Sequence, residues 1–224
     1  MIEKQFTSRD MAKIGCHDCQ GCFSCCQGMG DTVVLNPYDV YELEKHLGKT
    51  FEKLLQKEIA LHTENGMILP HISMETEKET CIFLNEQGRC SIHSFRPGLC
   101  RLFPLGRNYD YPEQDPDLEG DAVGFHYFIL EEACPKKDKT KVKIDKWLGV
   151  SRLSTHEAFI LTWHNFCKYV QKKIEALMMD PEQETYIKQI NLFILQLFYG
   201  KTWDMEQDFY KQMEDRLAQA YQII

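Results

Sequence analysis

Five cysteines lie within eleven residues near the start of this chain, in the order Cys16-x2-Cys19-x2-Cys22-x2-Cys25-Cys26. A thiolate at every third residue allows a short loop to wrap a soft metal ion or an iron–sulfur cluster. Five more cysteines follow along the chain: Cys81, Cys90, Cys100, Cys134 and Cys167. The spacing therefore predicts a protein that holds metal.

The cellular compartment bears on how these thiols are used. The first residues, Met1–Phe6, contain no apolar segment of the kind found in signal peptides. The longest apolar stretch, Ile190–Tyr199, is shorter than the roughly 20 residues that cross a bilayer. We expect a soluble protein of the cytoplasm, where thiols stay reduced and serve metal or redox chemistry. A disulfide scaffold is the alternative for a secreted chain.

Composition indicates which classes of partner are not suited to bind this chain and whether it can form a hydrophobic core. The formal net charge of −8 argues against nucleic acid or an anionic membrane as the main partner. A hydrophobic content of 43% is enough to bury a core in a chain of 224 residues. The metal is therefore not expected to be the only source of stability.

Local signals predict helices and hairpins in the first part of the chain. Asn36 and Pro37 predict the start of a helix that Gly48 ends. Asn65-Gly66 predicts a tight hairpin between two strands. A second hairpin is expected between Cys81–Leu84 and Arg89–Ile92, which would bring the thiols of Cys81 and Cys90 together. Gly124–Leu130 is a further candidate strand.

From Asp145 onward the pattern is helical. Apolar side chains recur at three- and four-residue steps, which predicts one long helix through Phe159, Trp163, Phe166, Val170, Ile174 and Leu177. A buried helix over Ile187–Phe198 and an amphipathic helix from Met205 to Tyr221 are expected to follow. We expect an α+β fold, with a cysteine-cluster metal-binding domain at residues 1–144 and a helical C-terminal region at 145–224 packed against it.

The cysteine count leaves the type of metal centre open. Cys19, Cys22 and Cys25 reproduce the C-x2-C-x2-C part of a bacterial ferredoxin, and Cys134-Pro135 offers a remote ligand, which favours [4Fe–4S]. Such a cluster takes only four thiolates, so two sites, or a cluster and a zinc ion, account better for nine cysteines. Zinc held by four thiolates is the alternative. The adjacent thiols of Cys25 and Cys26 are expected to point in different directions.

The order of these motifs resembles a known family. Cys19-x2-Cys22-x2-Cys25-Cys26 is followed by Cys81-Ile82-Phe83-Leu84, by Gly88-Arg89-Cys90-Ser91-Ile92-His93, by Arg96-Pro97-x2-Cys100-Arg101-x-Phe103-Pro104 and by Cys134-Pro135. This combination resembles the CxxCxxCC, or YkgJ-type, cysteine-cluster family, described as a zinc- or iron-chelating domain. The family includes the flagellin lysine N-methylase, an enzyme that uses S-adenosylmethionine. The resemblance covers roughly residues 16 to 150.

The resemblance implies a set of eight metal ligands: Cys19, Cys22, Cys25, Cys26, Cys81, Cys90, Cys100 and Cys134. Arg96 and Arg101 flank Cys100, where they can neutralise a thiolate cluster or position an anionic ligand; ordinary surface arginines are the alternative. Cys16 lies outside the family pattern, and its role stays open, as do those of His17 and His93. Cys167 falls on a helical stripe and is expected in a core.

Three functions are compatible with these residues and motifs. The leading one is a cytoplasmic protein that holds an iron–sulfur cluster or zinc and serves redox chemistry, electron transfer or metal handling. An enzyme resembling the S-adenosylmethionine-dependent protein lysine methylase is the second. A zinc-stapled interaction module, whose helical tail binds a protein partner, is the third. Motifs of P-loop, dinucleotide-binding and hydrolase sites do not occur in the sequence.

Overall fold

The computed structural model of this chain describes residues 4–16, 22–75, 79–112 and 120–224. Its helices and short strands confirm the expected α+β class. Within the described residues the strands form four antiparallel pairs, namely β1 (Met11–Gly15) with β8 (Thr140–Lys143), β2 (Ile59–Glu64) with β3 (Met67–Ile72), β4 (Met74–Glu75) with β5 (Thr80–Cys81), and β6 (Leu105–Asp110) with β7 (Gly124–Ile129).

The helices lie mostly in the second half of the chain. In order they are α1 (Pro37–Leu47), α2 (Phe51–Leu54), α3 (Gly98–Leu102), α4 (Ile144–Leu148), α5 (Leu153–Met178), α6 (Glu184–Leu195) and α7 (Phe209–Ile223). Short 3-10 turns occupy Ser24–Cys26, His93–Phe95 and Pro181–Gln183, and a π-helical turn, Gln196–Gly200, follows α6. None of the helices within these described residues is long and apolar enough to span a membrane.

The chain divides into two compact units that alternate along the sequence. Unit 1 comprises Met1–Gly30 and Met74–Leu161, and unit 2 comprises Asp31–Ser73 and Thr162–Ile224. The division at residues 144 and 145 expected from the sequence is a linear one and stays a prediction. Every cysteine position except that of Cys167 falls in unit 1, and Cys167 falls in unit 2.

Unit 1 has a small apolar core between two of its strand pairs. The buried members of this core are Phe6, Ala12, Ile14, Leu102, Leu105, Tyr127, Ile144 and Leu148. Phe6 joins the β6–β7 pair through two hydrogen bonds of 2.8 Å with the backbone of Tyr127. The core therefore fixes α3, which carries Cys100, and α4 beside the β6–β7 hairpin.

The N-terminal signals of α1 are confirmed. Asn36 is the N-cap, and its side chain accepts from the Asp39 backbone N–H at 3.0 Å, while the Asp39 carboxylate accepts from the Asn36 backbone N–H. Pro37 occupies the first turn, where a missing N–H costs nothing. Gly48 ends the helix in the left-handed conformation that glycine tolerates.

The β2–β3 hairpin of unit 2 is confirmed at its predicted turn. Asn65 and Gly66 both have positive φ, 48° and 80°, as a two-residue turn of this kind requires. The buried side chain of Asn191 on α6 ties helix and hairpin together. Its Oδ1 accepts from the Ile68 backbone N–H at 2.7 Å, and its Nδ2 donates to the Gly66 carbonyl at 3.0 Å.

Two helix boundaries differ from the expected ones. The predicted buried helix at Ile187–Phe198 begins earlier, at Glu184, and passes into a π-helical turn after Leu195. The last helix begins at Phe209 because Asp208 caps it, so Met205 precedes it.

The core of unit 2 contains Phe166, Phe198 and Tyr199, and the Tyr199 hydroxyl donates to the Leu35 carbonyl at 3.0 Å.

Removing the Asn191 side chain is expected to destabilise unit 2. Asn191→Ala leaves the Ile68 N–H and the Gly66 carbonyl without their partner, and we expect the free energy of unfolding to fall by about 2–3 kcal/mol. Urea denaturation measures this change. The exposed Gln189 on the same helix provides the control Gln189→Ala, which should change stability by no more than about 0.5 kcal/mol. Equal losses in both variants would contradict the prediction.

His156, buried in unit 1, is expected to make stability pH-dependent. Burial, with the positive charges of Arg107 and Arg101, lowers the pKa of His156 to about 3. The unfolded chain, with a histidine pKa of about 6.5, therefore binds a proton more readily, and stability falls as the pH drops from about 6.5 towards 3. The expected slope from this group is about 1.4 kcal/mol per pH unit.

Denaturation of His156→Gln between pH 6 and pH 4 measures that slope. The variant should show a flatter pH dependence than the unaltered protein. His46→Gln, at an exposed position on α1, should retain the original slope. Identical slopes in the unaltered protein and His156→Gln would show that His156 does not carry the dependence.

Candidate metal centre

Two cysteines of the N-terminal run lie on a short turn. Cys25 and Cys26 belong to the 3-10 turn Ser24–Cys26, which the Cys26 N–H closes by donating to the Phe23 carbonyl at 2.8 Å. The Sγ of Cys22 lies 3.6 Å from the Ser24 hydroxyl oxygen. Cys22, Cys25 and Cys26 are all half-buried.

Backbone pairing brings this turn beside β5. Gln27 forms a bridge with Thr80, and the Gly28 N–H donates to the Glu79 carbonyl at 2.8 Å. Gly28 adopts a φ of +63°, which glycine tolerates best. Because Cys26 directly precedes this bridge and Cys81 directly follows Thr80, two cysteine segments that are distant in sequence become neighbours.

Cys90 is returned towards Cys81 by a compact turn. The Leu84 N–H donates to the Cys81 carbonyl and the Ser91 N–H to the Phe83 carbonyl, both at 2.8 Å. The predicted second hairpin is present only as the single bridge between Leu84 and Cys90. This local geometry places Cys81 and Cys90 close enough for their thiols to influence each other.

The adjacent thiols of Cys25 and Cys26 do not diverge as expected. Their Sγ atoms are 4.0 Å apart. A hydrogen bond from Cys26 lowers the pKa of Cys25 to about 6, and the positive charge of Arg96 acts in the same direction against burial. The same hydrogen bond, burial and the charges of the neighbouring cysteines raise the pKa of Cys26.

Cys81 and Cys90 share this electrostatic environment. Burial raises the pKa of both thiols, while hydrogen bonds from the backbones of Phe83 and Ile92, two residues further along, oppose the increase. Cys25 contributes to the shifts of both. Amide donors to sulfur favour the thiolate form, which is the form that binds metal.

Arg96 supplies positive charge to this group of thiols. It lowers the pKa of Cys25 and of Cys90. Its Nη1 contacts the Nε2 of His93 at 2.7 Å, and its Nε is buried without a hydrogen-bond partner among the described residues. Arg96 therefore lies near enough to act on two of the thiols, and Arg89 also lowers the pKa of Cys90, while a cofactor-binding role for Arg96 stays a prediction.

The four thiols of Cys25, Cys26, Cys81 and Cys90 fit zinc or iron by the chemistry of their donor atoms. The 4.0 Å between Cys25 and Cys26 matches an edge of a tetrahedron with Zn–S bonds of about 2.3 Å, which is about 3.8 Å. As the side chains stand, however, no three potential ligands among the described residues are arranged to hold an ion. Metal binding would therefore draw the thiols together, since ligand sites commonly complete their geometry on binding.

The other predicted ligands have different surroundings. Cys100 is half-buried on α3, and Cys134 is buried in the loop after β7. Cys19 and His17 lie outside the described residues. Metal ligation by Cys22, Cys100 and Cys134 stays a prediction. Two cysteines outside the family pattern, Cys16 after β1 and Cys167 on α5, are buried and half-buried respectively, and burial raises the pKa of Cys167.

Arg101 is held by backbone oxygens. Its Nε donates to the Arg96 carbonyl at 2.8 Å, and its two terminal nitrogens donate to the carbonyls of Ser94 at 2.7 Å and Leu148 at 3.3 Å. The backbone oxygen of Arg96 thus links the two arginines that were expected to hold a cofactor. Arg101 also lines a cleft in unit 1.

Sequence reasoning missed the Gln27–Thr80 bridge and the backbone donors of Phe83 and Ile92. The bridge depends on a contact between segments about fifty residues apart, for which neither residue type gives a signal. The amide donors follow each cysteine by two positions, so that spacing alone could have indicated them.

This arrangement defines a domain with clustered thiols suited to zinc or iron. Residues 18–119 match the CxxCxxCC family model, described as "Putative zinc- or iron-chelating domain". This part of the chain is therefore similar to the CxxCxxCC family, as its cysteine motifs indicated. No curated protein and no solved structure matches the chain.

Replacing Arg96 is expected to weaken metal binding. Arg96→Gln removes the positive charge next to Cys25 and Cys90, so we expect the affinity for Zn²⁺ to fall about ten- to hundredfold. Competition with a chromophoric chelator measures the affinity. Arg9→Gln, which removes an exposed arginine elsewhere in unit 1, should leave it unchanged. Equal affinities for Arg96→Gln and Arg9→Gln would contradict a role for Arg96 at the site.

Proposed function

We propose that this chain is a zinc- or iron-binding protein whose thiolates hold a single metal ion. Cys25, Cys26, Cys81 and Cys90 supply the ligands, and Arg96 partly compensates their negative charge. The observation that carries this proposal is the convergence of two pairs of thiols from distant segments beside one arginine.

The separation of Cys25 and Cys26 favours one ion over an iron–sulfur cluster. Each iron of a [4Fe–4S] cluster takes its own cysteine, so the cysteine sulfurs are further apart than on a single ion. The 4.0 Å between these Sγ atoms is close to the edge of a mononuclear tetrahedron. The [4Fe–4S] cluster favoured by the ferredoxin-like spacing is thus the competing hypothesis for the test below.

The charge balance also supports this site. Four thiolates on a divalent ion carry a formal charge of −2. Burying this charge partly costs solvation free energy unless positive charge or amide donors lie nearby. Arg96 supplies the charge, and Phe83 and Ile92 supply the amides. When bound, zinc would supply structural cross-linking or exchangeable storage, and iron would add one-electron redox chemistry.

We place this function in a reducing compartment, for which the cytoplasm is the simplest choice. The proposed ligands bind metal as reduced thiolates. Cysteines stay reduced where the glutathione and thioredoxin systems operate. Metal handling, or redox chemistry if the ion is iron, is the role that follows.

Metal content of protein purified without air tests the proposal. Zinc or iron at one equivalent per chain, without acid-labile sulfide, is the expected result. Iron with an equal amount of sulfide and a brown colour would establish a cluster and overturn the single-ion site. Protein with no bound metal, and none taken up on titration with Zn²⁺ or Fe²⁺, would overturn metal binding itself.

Cysteine variants assign the ligands. Cys90→Ser should lose at least about nine-tenths of the bound metal, because one of four thiolates is absent. Cys167→Ser removes a thiol of unit 2 and should keep the full metal content, which makes it the matched control. Retention of metal by Cys90→Ser, in protein whose circular dichroism is unchanged, would exclude Cys90 as a ligand.

A further inference from the structure

Two histidines of unit 2, His62 and His71, lie side by side on the β2–β3 hairpin. His62 is paired with Leu69 in the register of the two strands, and His71 follows Leu69 by two residues on β3. Residues two positions apart in a strand project to the same face, so both imidazoles stand on one face of the hairpin. Their ring centres are 5.9 Å apart, and the ring planes are nearly perpendicular, at 85°.

Backbone pairing on both sides fixes the strand that carries His71. On one side β2 pairs with β3 in an unbroken antiparallel register. On the other side Val34 forms a bridge with His71, and the Ile72 N–H donates to the Val33 carbonyl at 3.1 Å. The two imidazoles are therefore carried by paired strands, which hold a binding site more firmly than a loop does.

The polar contacts of the two rings leave the same nitrogen available on each. Nδ1 of His71 lies 3.2 Å from the Ile72 carbonyl oxygen, and Nδ1 of His62 lies 2.8 Å from Oδ2 of Asp31. A carbonyl or carboxylate oxygen only accepts, so in each neutral ring Nδ1 carries the proton and Nε2 carries the lone pair. Neither Nε2 has a hydrogen-bond partner among the residues that the structure describes.

These contacts are the ones that orient metal-binding histidines. A ligating imidazole usually donates its second ring N–H to a carboxylate or a backbone carbonyl, which fixes the ring and makes the other nitrogen more basic. His62 has the carboxylate of Asp31, and His71 has the carbonyl of Ile72. Asp31 also places a negative charge beside the pair, which attracts a cation.

The spacing of the rings suits one ion between them. With Zn–N bonds of about 2.0–2.1 Å and a tetrahedral angle at the ion, two ligating imidazoles have ring centres about 5 Å apart. The observed 5.9 Å is close to this value, and both side chains are half-buried, so they have room to adjust. The described residues offer no group of three ligands around an ion, so the pair supplies two nitrogens and water completes the coordination.

From the shared face, the two oriented rings and the adjacent carboxylate, we propose that His62 and His71 bind one divalent transition-metal ion through their Nε2 atoms. Imidazole nitrogen is a ligand for zinc, copper and nickel, whereas magnesium and calcium prefer oxygen. Water fills the remaining positions, so the ion exchanges readily and is held more weakly than by four thiolates. Asp31 is a positioning residue that acts through His62. The site uses none of the cysteines and is independent of the proposed thiolate centre.

NMR of the histidine ring nitrogens tests the proposal. The full-length protein is first given one equivalent of Zn²⁺ without air, so that any tighter site is filled. Further Zn²⁺, or Mg²⁺ in a separate sample, is then added at neutral pH and constant ionic strength. Long-range proton–nitrogen spectra distinguish Nδ1 from Nε2 in each ring. We expect the Nε2 resonances of His62 and His71 to move together and saturably with Zn²⁺, and neither to move with Mg²⁺.

Single substitutions show whether the two rings share one ion. In His71→Gln the dissociation constant for Zn²⁺, followed at Nε2 of His62, should rise at least about tenfold because the second ligand is absent. Asp31→Ala keeps both imidazoles and should weaken binding about tenfold, through loss of the orienting carboxylate. The matched control is His46→Gln: His46 on α1 lies 3.6 Å from Glu42, and its loss should leave Zn²⁺ binding at the hairpin unchanged.

Three results would overturn the proposal. They are Nε2 resonances that do not respond to excess Zn²⁺, equal dissociation constants in His71→Gln and His46→Gln, and a response of the His46 ring equal to that of the pair, which would indicate general surface binding. If His71→Gln does not fold, His62→Gln followed at Nε2 of His71 takes its place. The ring resonances report on the histidines alone, so failure here would leave the proposed thiolate site untouched.

Discussion

The loop that carries Cys25 and Cys26 is held beside β5 by the bridge from Gln27 to Thr80 and by the 2.8 Å hydrogen bond from the Gly28 N–H to the Glu79 carbonyl. The proximity of Cys26 to Cys81 depends on this pairing, because it joins two segments about fifty residues apart. Backbone hydrogen bonds are suited to this task, since they fix the path of the chain while leaving the thiol side chains available. The thiols can then adjust to an ion over small distances without rearrangement of the fold.

Charge is the second constraint on unit 1. Thiolates brought together in a half-buried position repel one another, and the raised pKa values of Cys81 and Cys90 reflect burial together with that repulsion. Arg96 offsets part of this cost at the thiols. Its carbonyl also accepts from Arg101, which lines the cleft. The segment around α3 therefore contributes one arginine beside the thiols and another that lines the cleft.

The structure confirms the features that rest on local chemistry. Asn36 and Pro37 start α1, and the Asn65-Gly66 turn needs only two residues of positive φ. The expected divergence of Cys25 and Cys26 was wrong, because successive side chains on a 3-10 turn are only about 120° apart, whereas in a strand they point to opposite faces. The predicted Cys81–Cys90 hairpin is limited to a single bridge, because turn residues precede Leu84 and follow Cys90.

Residue types and short spacings were enough to predict the α+β class, the resemblance to the cysteine-cluster family and a metal site built from thiolates, because such features are local in the sequence. The tertiary structure decided which thiols meet, since pairing between Gln27 and Thr80 depends on backbone contacts that any residue can make. It also decided that Arg107 and His156 share a cleft. Arg107 on β6 and His156 on α5 are about fifty positions apart in the sequence, and no local sequence pattern indicates that they lie close together.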